Sequence, residues 1–467
     1  MAKQFKDQGG AATMDPSPLS RWLGSTVVSF VCSGQRRDRQ RAKMERARLK
    51  AGTPHVVEYF HQVEDGYSHL AAQILRQFCQ RYDIKLVCHL VRGPQGKNAA
   101  EPELLLQLSR YDAFHVAPEY GLRFPEHAPP LDSSLVALAT AVLAGQNDAS
   151  FIECAAQVGD ALWSGDNERL HGLADNLGRA SESEIEARLE AGTARRTELK
   201  HYSGAMFYYG KEWYWGVDRL YHLEKRLAKL GADREAGEAL LVPRPPLEAG
   251  PLTDNGSLTL EVYPSLRSPY TSIVFDRAVK LAQDTGVKLK VLPVLPMVMR
   301  GVPATREKGL YIFSDTEREA REAGVPYGNF YDPIGNPVRR CYSLYPWACQ
   351  QGKGNELLSC FLSAAFAQGI NTNSGAGLRK VVEAAGLDWS EAQQHLGNSA
   401  WEEMLEENRL TMYDAGLWGV PSFRLLNEQG EQLLALWGQD RLWLFAREIQ
   451  RQLAQGSEST DVLIAGD

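Results

Sequence analysis

Two stretches of this chain can be laid over each other at a distance of 203 residues without a gap. "VEYFHQVEDGYSHLAAQILRQFCQRYDIKLVCHLV" begins at Val57, and "LEVYPSLRSPYTSIVFDRAVKLAQDTGVKLKVLPV" begins at Leu260. In both, an apolar strand-like run meets a tight turn, then a long amphipathic helix pattern, then a second strand-like run. Glu58 falls on Glu261, Tyr67 on Tyr270, and Ile84-Lys85-Leu86 on Val287-Lys288-Leu289. The ends of the halves correspond as well, "GAMFYYGKEWYWGVDRLYHLEKRL" with "VPSFRLLNEQGEQLLALWGQDRLWLFAREI". Each carries two short strand-like runs and then Trp-Gly-x-Asp-Arg-Leu opening a helix, with an acidic residue where a helix start favours one. Matching features at both ends, in one order, point to a duplication.

Between these ends lies a helical stretch in each half, roughly Glu101 to Leu199 and Thr316 to Tyr413. Strand, helix, strand requires a parallel pair joined by a crossover, whereas the closing hairpin is antiparallel. The expected fold class is therefore α/β: two tandem units, each a mixed four-stranded sheet with an inserted helical subdomain. The expected boundaries are an N-terminal amphipathic and basic arm over 1–53, a first unit over 54–230 and a linker over 231–257. The second unit follows over 258–453 and a flexible tail over 454–467. A chain of 467 residues is long enough for two or three such cores.

The formal net charge of −7 implies no polyanion partner, so no nucleic acid is expected. It is unevenly placed: "RRDRQRAKMERARLK" over 36–50 carries eight basic and two acidic residues. Ahead of it, "WLGSTVVSFVCS" is hydrophobic like a signal segment, but its positive charge follows rather than precedes it. We read it as an amphipathic arm packing on the body, with a solvated basic helix behind it and a membrane-surface or nucleic-acid contact as the alternative. No run reaches the roughly 18 to 20 apolar residues of a membrane span. The seven cysteines form no Cys-x-x-Cys pair and no zinc pattern, so no metal is expected, and free thiols in a cytoplasmic protein are.

After the first strand of the second half comes "SPYT", where a thioredoxin-type redox pair would place two cysteines. With "KGLYIFSDTEREAREAGVPY", "GVPSF" and "WGQDRL" following in order, the second half resembles the DsbA-like thioredoxin-fold family. The branch it resembles is that of kappa-class glutathione transferases and 2-hydroxychromene-2-carboxylate isomerases. The resemblance implies a thioredoxin-like fold and glutathione as cofactor. Ser268 would hydrogen-bond the glutathione sulfur, and Pro421 would be the cis proline. Val420 would pair its backbone with the cysteinyl part, Gln439 and Asp440 would hold the γ-glutamyl end, and Lys308 would flank the site.

Chemistry gives these residues a reason. A thiol with a pKa of about 8.5 must ionise to attack, and a helix N-terminus plus a serine hydroxyl favour the thiolate. Each residue also has a plainer role: Ser268 as the N-cap before Pro269, Pro421 as an ordinary turn, Asp440 as a cap, Lys308 as a surface charge. The stretch "LPMVMRGVPATREKG" lacks the asparagine the family uses to close the site. In the first half Asp65 replaces Ser268, Ala205 replaces Pro421 and Val217 replaces Gln439, so it is expected to be a scaffold whose Asp65 would repel a thiolate.

The resemblance implies a glutathione-dependent isomerase or transferase acting in the second half on a small-molecule electrophile or an unsaturated aromatic-pathway acid. The two halves would form an intrachain pseudo-dimer, with a further homo-oligomer left open. The alternative is a redox-inactive DsbA-like binding module without catalysis. A dithiol-disulfide oxidoreductase is disfavoured by the missing cysteines.

Overall fold

The computed structural model describes residues 15–126, 128–302 and 304–464; residues 1–14 of the expected arm and 465–467 of the expected tail lie outside the described residues. The chain divides into two compact units, Arg39–Pro245 and a second made of 15–38 with 246–464. The expected arm is thus shared: helix α1 (Pro18–Val31) belongs to the second unit, and α2 (Gly34–Ala51) spans the boundary.

In the first unit, strand β1 (His55–His61), helices α3 (Gly66–Ala72) and α4 (Leu75–Arg81), and strand β2 (Ile84–Leu90) come first. Five helices follow: α5 (Pro102–Val116), α6 (Ser133–Ala144), α7 (Asp148–Ser164), α8 (Asn167–Leu177) and α9 (Glu182–Glu198). Strands β3 (Met206–Tyr209) and β4 (Glu212–Trp215) then lead into α10 (Gly216–Lys229). The sheet order is β2-β1-β3-β4, with β1 and β2 parallel and the other pairs antiparallel. Residues expected as linker are fixed to this unit: Arg81 pairs with Asp233, and Glu224 accepts from the backbone N–H groups of Leu241 and Val242.

The second unit repeats the plan. Strand β5 (Thr259–Tyr263), helix α11 (Pro269–Thr285) and strand β6 (Lys288–Val291) are followed by α12 (Arg306–Ala323). Then come α13 (Asn336–Gln350), α14 (Gly354–Phe366), α15 (Gly375–Ala384), α16 (Trp389–His395) and α17 (Ala400–Asp414). Strands β7 (Ser422–Leu426) and β8 (Gln432–Trp437) and helix α18 (Leu442–Ile464) close the unit. The order β6-β5-β7-β8 has the same senses as the first sheet. The insertion starts at Arg306, earlier than the sequence pattern suggested, and α18 continues through the expected tail as far as Ile464.

Glu58 and Glu261 occupy the middle of the two central strands, where an unpaired carboxylate would be costly. Each is satisfied by its own neighbours: Glu58 by His89 and Arg195, Glu261 by Tyr263, Lys290 and Arg424. In the second unit one apolar core runs from the sheet (Leu260, Val262, Phe423) through α11 (Val274, Phe275) into the insertion (Leu357, Phe361). Of the stretch "YSLYPWACQQ" from Tyr342, the side chains of Tyr342, Leu344, Tyr345, Trp347 and Ala348 pack inside this core. The hydroxyl of the fully buried Tyr342 donates to the Val294 carbonyl and accepts from Leu266 N–H, which pins the loop just before Ser268.

Candidate functional site

Helix α11 begins where β5 has run out, and the sequence dictates the start. Ser268 caps it, its Oγ accepting from Thr271 N–H at 3.2 Å, and Pro269 occupies the first helical position, which needs no N–H. The same buried hydroxyl lies 3.4 Å from the carbonyl of Val420, to which it donates. Val420–Pro421 is a cis peptide, and the Pro421 carbonyl accepts from Gly438 N–H at 3.0 Å. Two glycines make this approach feasible. A Cβ on Gly419 would come within 2.3 Å of the Trp437 ring, and Gly438 has φ +121°, a conformation that L side chains rarely adopt.

Gln439 follows directly and is buried. Its Nε2 donates to Glu319 on α12 at 2.8 Å, while its Oε1 has no hydrogen-bond partner among the described residues. The Asp440 carboxylate comes within 3.9 Å of the Arg441 guanidinium. Ser268, Val420, Pro421, Gln439 and Asp440 are thus brought together by two main-chain turns and the end of α11. Lys308 is carried by a different element. It lies half-buried in the first turn of α12, about three turns from Glu319, and burial lowers its pKa. Its backbone N–H donates to the Thr305 hydroxyl that caps this helix.

Several polar groups around the site were not singled out from sequence. Glu319, which holds Gln439, is 1% exposed. Tyr270 donates to Asp315 at 2.7 Å, and Arg318 pairs with the same carboxylate at 2.7 Å. The 203-residue correspondence carried a signal for this, since Tyr67 donates to Asp112 at 2.6 Å and both residues sit at that offset from Tyr270 and Asp315. Beside Ser268, Arg267 grips Asp332 with two bonds of 2.8 and 2.9 Å. Burial would raise the Asp332 carboxyl, but the Arg267 charge holds it below the usual carboxylate range. One turn beyond Ser268, a cavity of about 180 Å³ opens between α11 and α14, lined by Ser272, Phe275, Ser359 and Phe366 among others.

The first unit keeps the frame and closes the site. Gly216 N–H donates to the Ala205 carbonyl at 2.7 Å, as Gly438 does to Pro421. The Gly204–Ala205 bond is trans, and the Ala205 N–H donates to Ser68 Oγ at 2.9 Å, a bond no proline could make. Asp65 is not turned outward as a bare repelling charge: it caps α3 and accepts from Ser68 N–H at 3.0 Å and Ser68 Oγ at 2.8 Å. Burial pushes its pKa up to about 6, against those bonds.

Comparison with known proteins bears on the same segment. Residues 259–450 match the profile of the family described as DSBA-like thioredoxin domain. The 2-hydroxychromene-2-carboxylate isomerase of Pseudomonas putida is 22% identical over 209 residues, spanning 43% of this chain and 98% of that protein. Among solved structures, a 2-hydroxychromene-2-carboxylate isomerase shares 22% identity with a TM-score of 0.37, covering 43% of this chain and 98% of its own. The cytosolic disulfide reductase DsbM from Pseudomonas aeruginosa with GSH shares 16% identity with a TM-score of 0.31, covering 43% of this chain and 99% of its own. The C-terminal half of the chain is a DSBA-like thioredoxin domain.

Proposed function

We propose that the second half is a glutathione-dependent isomerase or transferase of the 2-hydroxychromene-2-carboxylate isomerase and kappa-class type. The observation that carries this reading is the Ser268 hydroxyl at the N-terminus of α11, beside the carbonyl that precedes the cis Val420–Pro421 bond. Glutathione fits the residues present. The buried Gln439 Oε1 is an acceptor without a partner, suited to an ammonium or amide donor, and Asp440 adds a carboxylate next to it. Ser268 would face the sulfur, and Val420 would pair its main chain with the cysteinyl residue.

When bound, glutathione supplies a thiol that, once ionised, adds to a conjugated electrophile and can leave again. Ser268 would favour the ionised form by turning its O–H from Val420 to the sulfur. A bond of 3.4 Å is at the weak end, so little is lost in the exchange. The aligned N–H groups at the start of α11 add to the same preference. The cavity beside Ser272 and Phe275 would receive the small-molecule electrophile or unsaturated aromatic-pathway acid. Seven free cysteines support a reducing, cytoplasmic setting. The name of the Pseudomonas putida relative supports the reaction class.

A redox-inactive DsbA-like binding module without catalysis is the second reading, favoured by the bond that Gln439 Nε2 already makes to Glu319. Titration calorimetry with glutathione separates the two. The enzyme reading expects one glutathione per chain, about tenfold weaker binding in Asp440→Ala for the loss of roughly 1.4 kcal/mol, and no change in Asp65→Ala. No heat at millimolar glutathione removes the enzyme reading.

A further inference from the structure

Ser268, Ser272 and Asp276 recur every four residues, so they form one polar stripe along α11. The stripe begins at the hydroxyl proposed to face the sulfur and ends about 12 Å further along the helix. Ser272 and Asp276 also line the cavity between α11 and α14, which therefore lies along the face of the helix that carries Ser268. What can enter it is set by its walls.

The buried side chains of Phe275, Leu362 and Phe366 give the cavity an apolar surface. A dry apolar cavity of about 150 Å³ takes one benzene. At about 180 Å³ this one holds a single aromatic ring with a short substituent. Polar groups then decide which substituent is accepted. Ser272 Oγ donates to the Pro269 carbonyl at 2.6 Å, and Ser363 Oγ accepts from Gln368 at 2.9 Å. Among the described residues Ser359 Oγ makes no hydrogen bond, so it is open to a ligand.

Charge is more selective still. Asp276 is the only ionisable residue among those lining the cavity, and no lysine, arginine or histidine joins it there. Its exposed carboxylate has no ion-pair partner among the described residues. Lys280, one turn further along α11, donates to Asp284 at 2.8 Å instead. The cavity thus presents a negative charge at one end and nothing to balance an incoming anion.

We propose that this cavity selects a single-ring aromatic ligand whose substituent is uncharged or cationic, and turns carboxylates away. Where it names a substrate, this rests on the function proposed above, and it picks the uncharged electrophile over the unsaturated acid. An anionic substituent is opposed at both ends of the stripe. At the far end it meets Asp276, and at the near end it meets the glutathione thiolate that Ser268 would hold. Between them the apolar walls remove water from a charge without returning a counter-charge. An ammonium or hydroxyl finds Asp276 as an acceptor.

Saturation-transfer NMR on the full chain, at neutral pH, low salt and without glutathione, tests this with benzylamine, benzyl alcohol and benzoate. Benzylamine should bind about thirtyfold more tightly than benzoate, at roughly fivefold each for an attraction and a repulsion across about 4 Å of water. Benzyl alcohol should fall between them, and added salt should narrow the range. Asp276→Asn should bring benzylamine and benzoate to within about threefold and leave benzyl alcohol unchanged. Ser359→Leu, which fills the cavity, should remove binding of all three. Asp276 is exposed, so its variant remains decisive if Ser359→Leu folds poorly. Benzoate binding as tightly as benzylamine overturns the proposal, as does a ranking that Asp276→Asn leaves unchanged, or no binding of benzylamine and benzyl alcohol at millimolar concentration. The calorimetry with glutathione keeps the two questions apart: silence there removes the enzyme reading, while the ranking of the three probes still decides the preference of the cavity.

Discussion

Ser268→Ala separates the structural role of one hydroxyl from its proposed chemical role. In the chain alone, Oγ accepts from Thr271 N–H at 3.2 Å and donates to Val420 at 3.4 Å. Losing an N-cap costs about 1 kcal/mol, and Pro269 still sets the first helical φ, so the second unit should unfold at a slightly lower urea concentration and remain folded in buffer. With glutathione bound, the same hydroxyl would donate to a charged sulfur, a bond worth roughly 1.5 to 3 kcal/mol, part of which water restores. At about 1.4 kcal/mol per unit, the bound thiol pKa should rise by about one unit. The sign follows: wild-type binding should tighten as pH rises from the bound pKa to the free one, then level off, and the variant should show a narrower window. Thiolate absorbance in the ultraviolet reads the pKa directly. The protein's own cysteines are blocked first, since Cys349 is exposed, although burial raises their pKa, that of Cys79 and Cys154 to about 11. Equal bound pKa values in wild type and variant would refute the role given to Ser268.

Three further outcomes follow from the contacts. Burial opposes ionisation of Glu58, yet bonds from Arg195 and His89 hold its pKa down at about 2; stability from this group is present above about 4.3 and lost as pH falls towards 2, so Glu58→Gln should flatten the acid limb of the urea midpoint. Arg21→Ala should free α1, since it leaves the carbonyls of Asp332 and Ile334 without a donor at a cost of about 2 to 3 kcal/mol, and limited proteolysis should then cut within α1; unchanged protection would contradict this mounting of the helix. A thiol reagent should react first with Cys349, the exposed cysteine, and should count seven thiols after denaturation without reductant.

The sequence by itself determined the pair of mixed sheets, because periodicity, turns and the 203-residue offset are local signals repeated in order. It also placed Ser268 at a helix start and Pro421 just before a strand, since Ser-Pro and Gly-x-Pro carry strong backbone preferences of their own. Tertiary structure decided what is long-range. Glu319, on a helix 120 residues before Gln439, reads as surface charge in sequence and is buried only because α12 packs against the turn after β8. Asp65 looked like a bare charge, and only the fold supplies Ser68 and the burial that raise its pKa to about 6. Helix α1 shows the same division most plainly. Its amphipathic pattern is visible in the sequence, but which face turns inward depended on main-chain groups at 330–334, some three hundred residues away, that accept from Arg21 and donate to Ser25 and Ser29. The spacing of apolar residues divides a helix into two faces; which of them turns inward is set by the partner the fold provides.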